Sequence, residues 1–397
     1  MIPRETYLNK LIQLRDTDNI KVITGVRRSG KSVLLMLYRD YLKAEGVAPD
    51  QIIYYNFEEF DLLGVRNRQE LITLLTPKLT KDKHLYLMFD EIQLVDDWQS
   101  VINGLRVSYD CDIIVTGSNA KMLSGELATL LSGRYVEIPI YPFSFKEFLT
   151  AKDIGPQSPR IDDAFTEFET FGGFPAVVLA NQSIKDTILA GIFDTIILND
   201  VSMRANVRDT ESLRGLVGFL ADNTGQLVNS SKIAGILKNE GVTISNHTVE
   251  KYLQLLEDAF LFYRGRQYDL RGKSYLRTAG KYFIADPGLR RNATGRRPGN
   301  YAGQLENIVY LELRRRGYTV DVGKLDSQEI DFVARKIDQV LYVQVTYELP
   351  KNSHETDNLL NIKDNYRKIL ITQRHYPDIK KIDGIPVINV IDWLLNE

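Results

Sequence analysis

The first third of the chain alternates short, unbroken apolar runs with longer stretches whose apolar residues recur every three or four positions. Ile20-Lys-Val-Ile-Thr24, Ile52-Ile-Tyr-Tyr-Asn56, His84-Leu-Tyr-Leu-Met-Phe-Asp90 and Asp112-Ile-Ile-Val-Thr116 read as buried strands, because apolar runs of this length suit strands covered on both faces. The helical period appears in Val33-Leu-Leu-Met-Leu-Tyr38, from Glu70 to Leu79 and from Trp98 to Tyr109, and Tyr135-Val-Glu-Ile-Pro139 adds a strand. The pattern predicts an α/β domain over residues 1–150, a parallel sheet with helices on both faces.

Gly155, Pro156 and Pro159 stand among polar residues between Ala151 and Arg160 and mark a linker. A helical and winged-helix region is expected over 160–290. It starts with a helix at Asp162-Asp-Ala-Phe-Thr-Glu-Phe168 and a turn at Phe171-Gly-Gly-Phe-Pro175. Ser230 to Leu237 and Ser245 to Leu256 predict two helices around Gly241, the second capped by Ser245 or Asn246. Strands Phe260–Arg264 and Lys281–Ala285 would complete a winged helix. In a DNA reader, Asn246, His247, Glu250 and Lys251 would lead the second helix into the major groove, but winged helices also bind proteins and cover nucleotides.

A third region, 300–397, shows a helix from Leu305 to Arg314 and strands at Tyr318–Val322, Glu329–Ala334 and Val340–Thr346. This is the outline of an α/β restriction-endonuclease-like, PD-(D/E)xK core, with Glu306 and Asp331 as its acids. Gln344-Val-Thr346 stands where acid-x-lysine is expected. Without that metal ligand and that lysine, phosphodiester hydrolysis is not expected, and the domain reads as a degenerate core kept for binding.

Composition changes the picture little. The chain has 397 residues, 44% hydrophobic and 26% charged, which is ordinary for globular protein and too long for one core. No apolar run approaches the roughly 20 residues of a membrane span, and Met-Ile-Pro-Arg-Glu lacks the core of a signal peptide. The cytoplasm is the expected compartment. Cys111 is the single cysteine, and His84, His247, His354 and His375 are not spaced as metal ligands, so zinc chemistry and a Cys-His nucleophile are not expected. The net charge of −2 hides an uneven distribution: between Arg264 and Arg316 thirteen Lys and Arg face four acids, with Tyr263, Tyr268, Tyr275, Tyr282 and Phe283 interleaved. Such a stretch suits a nucleic-acid backbone; it suits equally a solvated face or cations turned toward ATP or the N-terminal domain.

The chemistry concentrates near the N-terminus. Gly25-Val-Arg-Arg-Ser-Gly-Lys-Ser32 matches G-x-x-x-x-G-K-S and lies between a strand and a helix, as a phosphate-binding loop requires. Gly25, Arg28, Ser29, Gly30, Lys31 and Ser32 would hold the nucleotide, with Lys31 reaching the β- and γ-phosphates and Ser32 holding Mg²⁺. The strand that ends in Asp90-Glu91 fits a Walker B element: Asp90 for Mg²⁺, Glu91 for the attacking water. At the end of the next strand, Ser118 or Asn119 would sense the γ-phosphate, with Asn119 favoured. Arg134 would reach a γ-phosphate in its own or a neighbouring subunit, or else pair with Glu137 or a helix end. No Asn-Lys-x-Asp motif follows the Walker B strand, which favours ATP over GTP.

The order of motifs resembles that of the AAA-type P-loop ATPases of bacteria and archaea that carry a C-terminal domain of unknown function. Its carriers are Gly25–Ser32, Leu87-Met-Phe-Asp-Glu-Ile-Gln93, Val115-Thr-Gly-Ser-Asn119, Leu131-Ser-Gly-Arg-Tyr135, Tyr141-Pro-Phe-Ser-Phe-Lys-Glu-Phe148, Gly172-Gly-Phe-Pro175, Tyr282-Phe-Ile-Ala-Asp-Pro-Gly288 and Gly303-Gln-Leu-Glu-Asn307. The resemblance implies an ATPase domain, a winged helix and a restriction-endonuclease-like end. The expected activity is Mg²⁺-dependent ATP hydrolysis in a switch or motor. Double-stranded DNA and a protein are its candidate partners, no membrane is involved, and an oligomer is compatible with the sequence.

Overall fold

A computed structural model describes residues 2–123, 133–203, 205, 207, 209–239, 241–242, 244–295, 301–349 and 354–396. Leu131 and Ser132 of the motif before Tyr135, and Arg296 and Arg297 of the basic stretch, lie outside the described residues. The chain forms two compact units, Met1–Ile140 with Asp258–Phe260, and Tyr141–Glu257 with Leu261–Glu397.

The first unit is built on strands β1 (Ile20–Thr24), β2 (Ile52–Asn56), β3 (Leu85–Asp90), β4 (Cys111–Gly117) and β5 (Tyr135–Pro139). They pair in parallel in the order β2-β3-β4-β1-β5. Because side chains alternate along a strand, each run divides between two cores. Val22, Leu85, Leu87, Phe89, Ile113 and Val115 face one side, packed with α3 (Arg68–Leu75) and α4 (Trp98–Ser108) through Leu71, Trp98 and Ile102. Ile23, Tyr86, Met88 and Ile114 face the other, packed with α1 (Glu5–Gln13) and α2 (Lys31–Ala44) through Leu11, Leu34, Leu35 and Tyr38. Helix α3 begins at a capping box, Asn67 with Glu70, and ends earlier than the apolar period suggests because Pro77 lies just beyond, in a 3₁₀ turn.

The second unit combines helices with an eight-stranded sheet. After the helix Phe145–Ala151, residues up to Arg160 carry no regular element before the next helix, Ile161–Phe171. Helices Ser230–Asn239 and Asn246–Asp258 are followed by the hairpin β6 (Phe262–Asp269) and β7 (Ser274–Ile284). Ser245 caps the second helix, its hydroxyl accepting from Thr248 N at 3.1 Å. Strands β8 (Thr319–Leu325), β9 (Gln328–Lys336), β10 (Gln339–Thr346), β11 (Arg367–Thr372), β12 (Lys381–Ile382) and β13 (Ile385–Asn389) complete the sheet, ordered β12-β13-β11-β10-β9-β8-β6-β7. β6 pairs in parallel with β8, so the hairpin and the strands after residue 300 lie in one sheet.

Three family motifs converge at one buried point of this unit. Asp286 accepts from Gly173 N at 2.7 Å and Gly288 N at 2.8 Å, while Phe143 N donates to Gly173 O at 2.8 Å. A Cβ on Gly173 would lie 2.3 Å from Phe143 O, so only glycine fits there. Burial drives the Asp286 carboxyl up to about 7, against the backbone N–H groups that favour its charged form. These motifs are thus accounted for by packing. No helix among the described residues is long and apolar enough to cross a membrane.

Candidate nucleotide site

The loop after β1 turns because its backbone enters the left-handed region at Gly25 (φ 146°), Arg28 (φ 64°) and Gly30 (φ 101°). At Gly25 a side chain is barred by space as well: its Cβ would lie 2.1 Å from Ile140 O. Gly30 caps α2 without a side-chain hydrogen bond, and the first turn holds no carboxylate, so the positive end of the helix is left for an anion. Lys31 is buried; its Nζ donates to Gly25 O at 3.1 Å and Val26 O at 3.3 Å and lies 3.6 Å from Glu91 Oε1. The Ser29 hydroxyl is shielded from solvent and has no hydrogen-bond partner among the described residues. An orphaned hydroxyl, a buried ammonium and an open helix end fit a polyphosphate.

Asp90 and Glu91 sit where β3 ends, next to the end of β4. Burial pushes the Asp90 carboxyl up, and hydrogen bonds from Ser32 and Thr116 pull against it. Ser32 and Asp90 thus lie together as two oxygen donors suited to Mg²⁺, which takes few protein ligands and completes its shell with phosphates and water. Thr116 Oγ1 donates to Asp90 and accepts from Glu91 N at 3.0 Å, so one threonine fixes both acids. Glu91 itself is left-handed (φ 54°), a conformation that costs a non-glycine residue about 1 kcal/mol or more. Its carboxylate accepts from Gln93 Nε2 and from Ser118 Oγ at 3.3 Å.

The structure brings Gly25, Ser29, Gly30, Lys31, Ser32, Asp90, Glu91 and Ser118 to one end of the sheet. Asn119, favoured over Ser118 from the sequence, is buried just past the end of β4, and Ser118 Oγ before it donates to Glu91 at 3.3 Å. Arg134 is not brought there. It precedes β5, whose first residue pairs with Ile20 at the start of β1, so a five-residue strand, about 15 Å, separates it from the loop. It is exposed and lies 3.5 Å from Asp18, while Glu137 accepts from Thr24 Oγ1 at 2.6 Å. The strand register thus sets Arg134 at the opposite end of β1 from the loop.

Thr116, Gln93 and Arg4 escaped the sequence reading as individual actors. Arg4 is buried and donates from Nη1 to Ser29 O at 2.9 Å, bracing the phosphate loop from the N-terminal segment. Thr116 was legible only as the polar end of an apolar strand.

In the second unit the expected nuclease acids do meet. Lys281, from β7, lies 2.9 Å from Glu306, 2.8 Å from Glu329 and 3.2 Å from Asp331. Burial pulls the Lys281 ammonium down, but the three carboxylates outweigh it and hold it charged. Gln344 Oε1 accepts from Asp331 N at 3.3 Å. No group of three or more His, Cys, Asp or Glu among the described residues is arranged to hold a metal ion. The chain's own ammonium stands among the acids. Replacing Lys281 with methionine is expected to destabilise the protein by about 3 kcal/mol, because buried carboxylates lose their counter-charge; urea unfolding of the variant checks this.

The fold is that of the AAA-type P-loop ATPases. An AAA domain family model matches residues 17–149, and a model described as a domain of unknown function (DUF8612) matches residues 162–300. An uncharacterized protein of Haemophilus influenzae is 61% identical over 396 residues, covering 100% of this chain and 99% of that one. An uncharacterized protein of Methanocaldococcus jannaschii is 33% identical over 364 residues, covering 88% and 80%. The Walker-type ATPase of Pyrococcus abyssi shares the fold with a TM-score of 0.50 at 15% identity, over 74% of this chain and 96% of that one. The chain belongs to the AAA-type P-loop ATPase family whose members carry a C-terminal domain of unknown function.

Proposed function

We propose that this protein is a Mg²⁺-dependent, ATP-hydrolysing switch or motor that acts on double-stranded DNA through a winged helix and a basic hairpin. The observation that carries the ATPase reading is the meeting of Lys31, Ser32, Asp90 and Glu91 at the ends of β1 and β3. ATP would lie along the loop with its phosphates on Lys31 and the start of α2, and Ser32 with Asp90 would hold Mg²⁺, which supplies charge neutralisation between the phosphates when bound. Glu91 would orient the attacking water and receive its proton. Asn119 and Ser118 are the candidates for sensing the γ-phosphate. Arg134 would act only across a subunit boundary.

The DNA reading is supported by exposed Arg264, Arg266, Arg271 and Lys273 on the hairpin. Arg266 lies over Tyr275 at 5.6 Å and Arg335 over Tyr268 at 4.3 Å. His247 and Lys251 are exposed near the start of helix Asn246–Asp258. A specific observation favours a second reading, in which this surface takes a protein partner: Asn246 donates to Ser231 Oγ at 3.1 Å and Glu250 accepts from Ser230 at 2.9 Å, so two of the four base-reading candidates are already engaged.

ATP hydrolysis with Mg²⁺, measured with and without duplex DNA, separates the two. The DNA reading expects stimulation that fades between about 50 and 200 mM salt, since each phosphate contact releases counterions. An Arg264→Glu, Arg266→Glu double variant should lose it. Lys31-dependent turnover indifferent to DNA would favour the protein partner.

A further inference from the structure

Gln93 carries a polar atom that no described residue satisfies. Its Nε2 donates to Glu91 Oε2, while its Oε1 is shielded from solvent and has no hydrogen-bond partner among the described residues. The orientation of the amide follows from chemistry: turned over, its oxygen would face a carboxylate oxygen, acceptor against acceptor. A shielded, unpaired carbonyl is costly to keep, so its place beside a candidate catalytic acid points to a donor that arrives with the substrate. The oxygen lies against the end of β4, where a Cβ on Gly117 would be 2.6 Å from it. The next residue, Ser118, reaches the same Glu91 carboxylate.

A water that attacks a phosphorus atom must turn a lone pair toward it and both hydrogens away. Two acceptors hold it in that attitude. Glu91 supplies one. We infer that Gln93 Oε1 is the second acceptor for the attacking water, so that Glu91 and Gln93 grip it by both hydrogens. The inference rests on the ATP hydrolysis proposed above. In the step, the water oxygen bonds to the γ-phosphorus and the bond from that phosphorus to the β,γ-bridging oxygen breaks, its electron pair leaving with ADP. One water proton passes to Glu91 and then to solvent; the other stays on the phosphate released. Gln93 takes no proton, since a neutral amide is no base at this pH. Its contribution is orientation, and it belongs to turnover rather than to binding.

The test compares wild type, Lys31→Ala and Gln93→Met by phosphate release and by binding of a fluorescent ATP analogue. Methionine keeps the length of the side chain without its acceptor. Gln93→Met is expected to lower kcat at least 30-fold while nucleotide affinity stays within about threefold. A Gln93→Met kcat within threefold of wild type would overturn the inference, as would equal losses in affinity and kcat, the mark of a merely structural residue. Wild type that releases no phosphate, or releases it equally after Lys31→Ala, would instead overturn the ATPase reading, and the inference with it.

Discussion

Lys31→Ala is expected to abolish nucleotide binding, with a loss of at least about 100-fold in ATP affinity measured by fluorescence or calorimetry. The lysine is buried in the loop, where its ammonium is held by Gly25 O and Val26 O and faces Glu91. A phosphate anion entering that space meets a cation already stripped of water, so the interaction is worth more than a surface pair. Truncating one partner of such a desolvated, hydrogen-bonded charge pair costs about 2–5 kcal/mol. The substitution also leaves Glu91 without its cation, at a site where Asp90 is already pushed toward its protonated form by burial. Affinity within threefold of wild type would mean that the loop is not the phosphate site.

Glu91→Gln should behave in the opposite way, keeping ATP bound and losing turnover by about 10²–10⁴-fold, the range that a positioned general base contributes. Glutamine preserves the size of the side chain and its place among Gln93 and Ser118, but it cannot receive the proton of the attacking water. The left-handed backbone at Glu91 (φ 54°) gives a further reason to expect a functional side chain, because strain of this kind persists where the surroundings over-determine it. Single-turnover phosphate release, with binding measured alongside, checks the split. A variant that hydrolyses ATP at the wild-type rate would remove Glu91 from the chemistry.

The parts of the site legible in the sequence are those fixed by local chemistry. A glycine-bearing loop between strand and helix, and two acids at a strand end, need only a few neighbouring residues to be recognised, because the backbone between them permits few arrangements. Gln93 was visible only as a letter of a motif. Its role depends on Thr116 and Ser118, which arrive from a strand about 25 residues later. That Ser118 donates to Glu91 depends on how the chain turns after Gly117. Arg4 lies far ahead of the loop it braces, and no periodicity announces that contact.

What the sequence by itself determined is therefore the sheet, its covering helices and the phosphate loop, since apolar runs bounded by glycine and polar residues admit little else. Only the tertiary structure decided the rest. Strand register carried Arg134 to the far end of β5, because parallel pairing with β1 fixes which residues share an end. Pairing of β6 with β8 merged the hairpin with the C-terminal sheet, and that sheet set Lys281 among Glu306, Glu329 and Asp331. The lysine missing from its expected strand thus has a counterpart from another. A buried carboxylate needs a cation close in space, and nothing in that requirement says where along the chain the cation must come from.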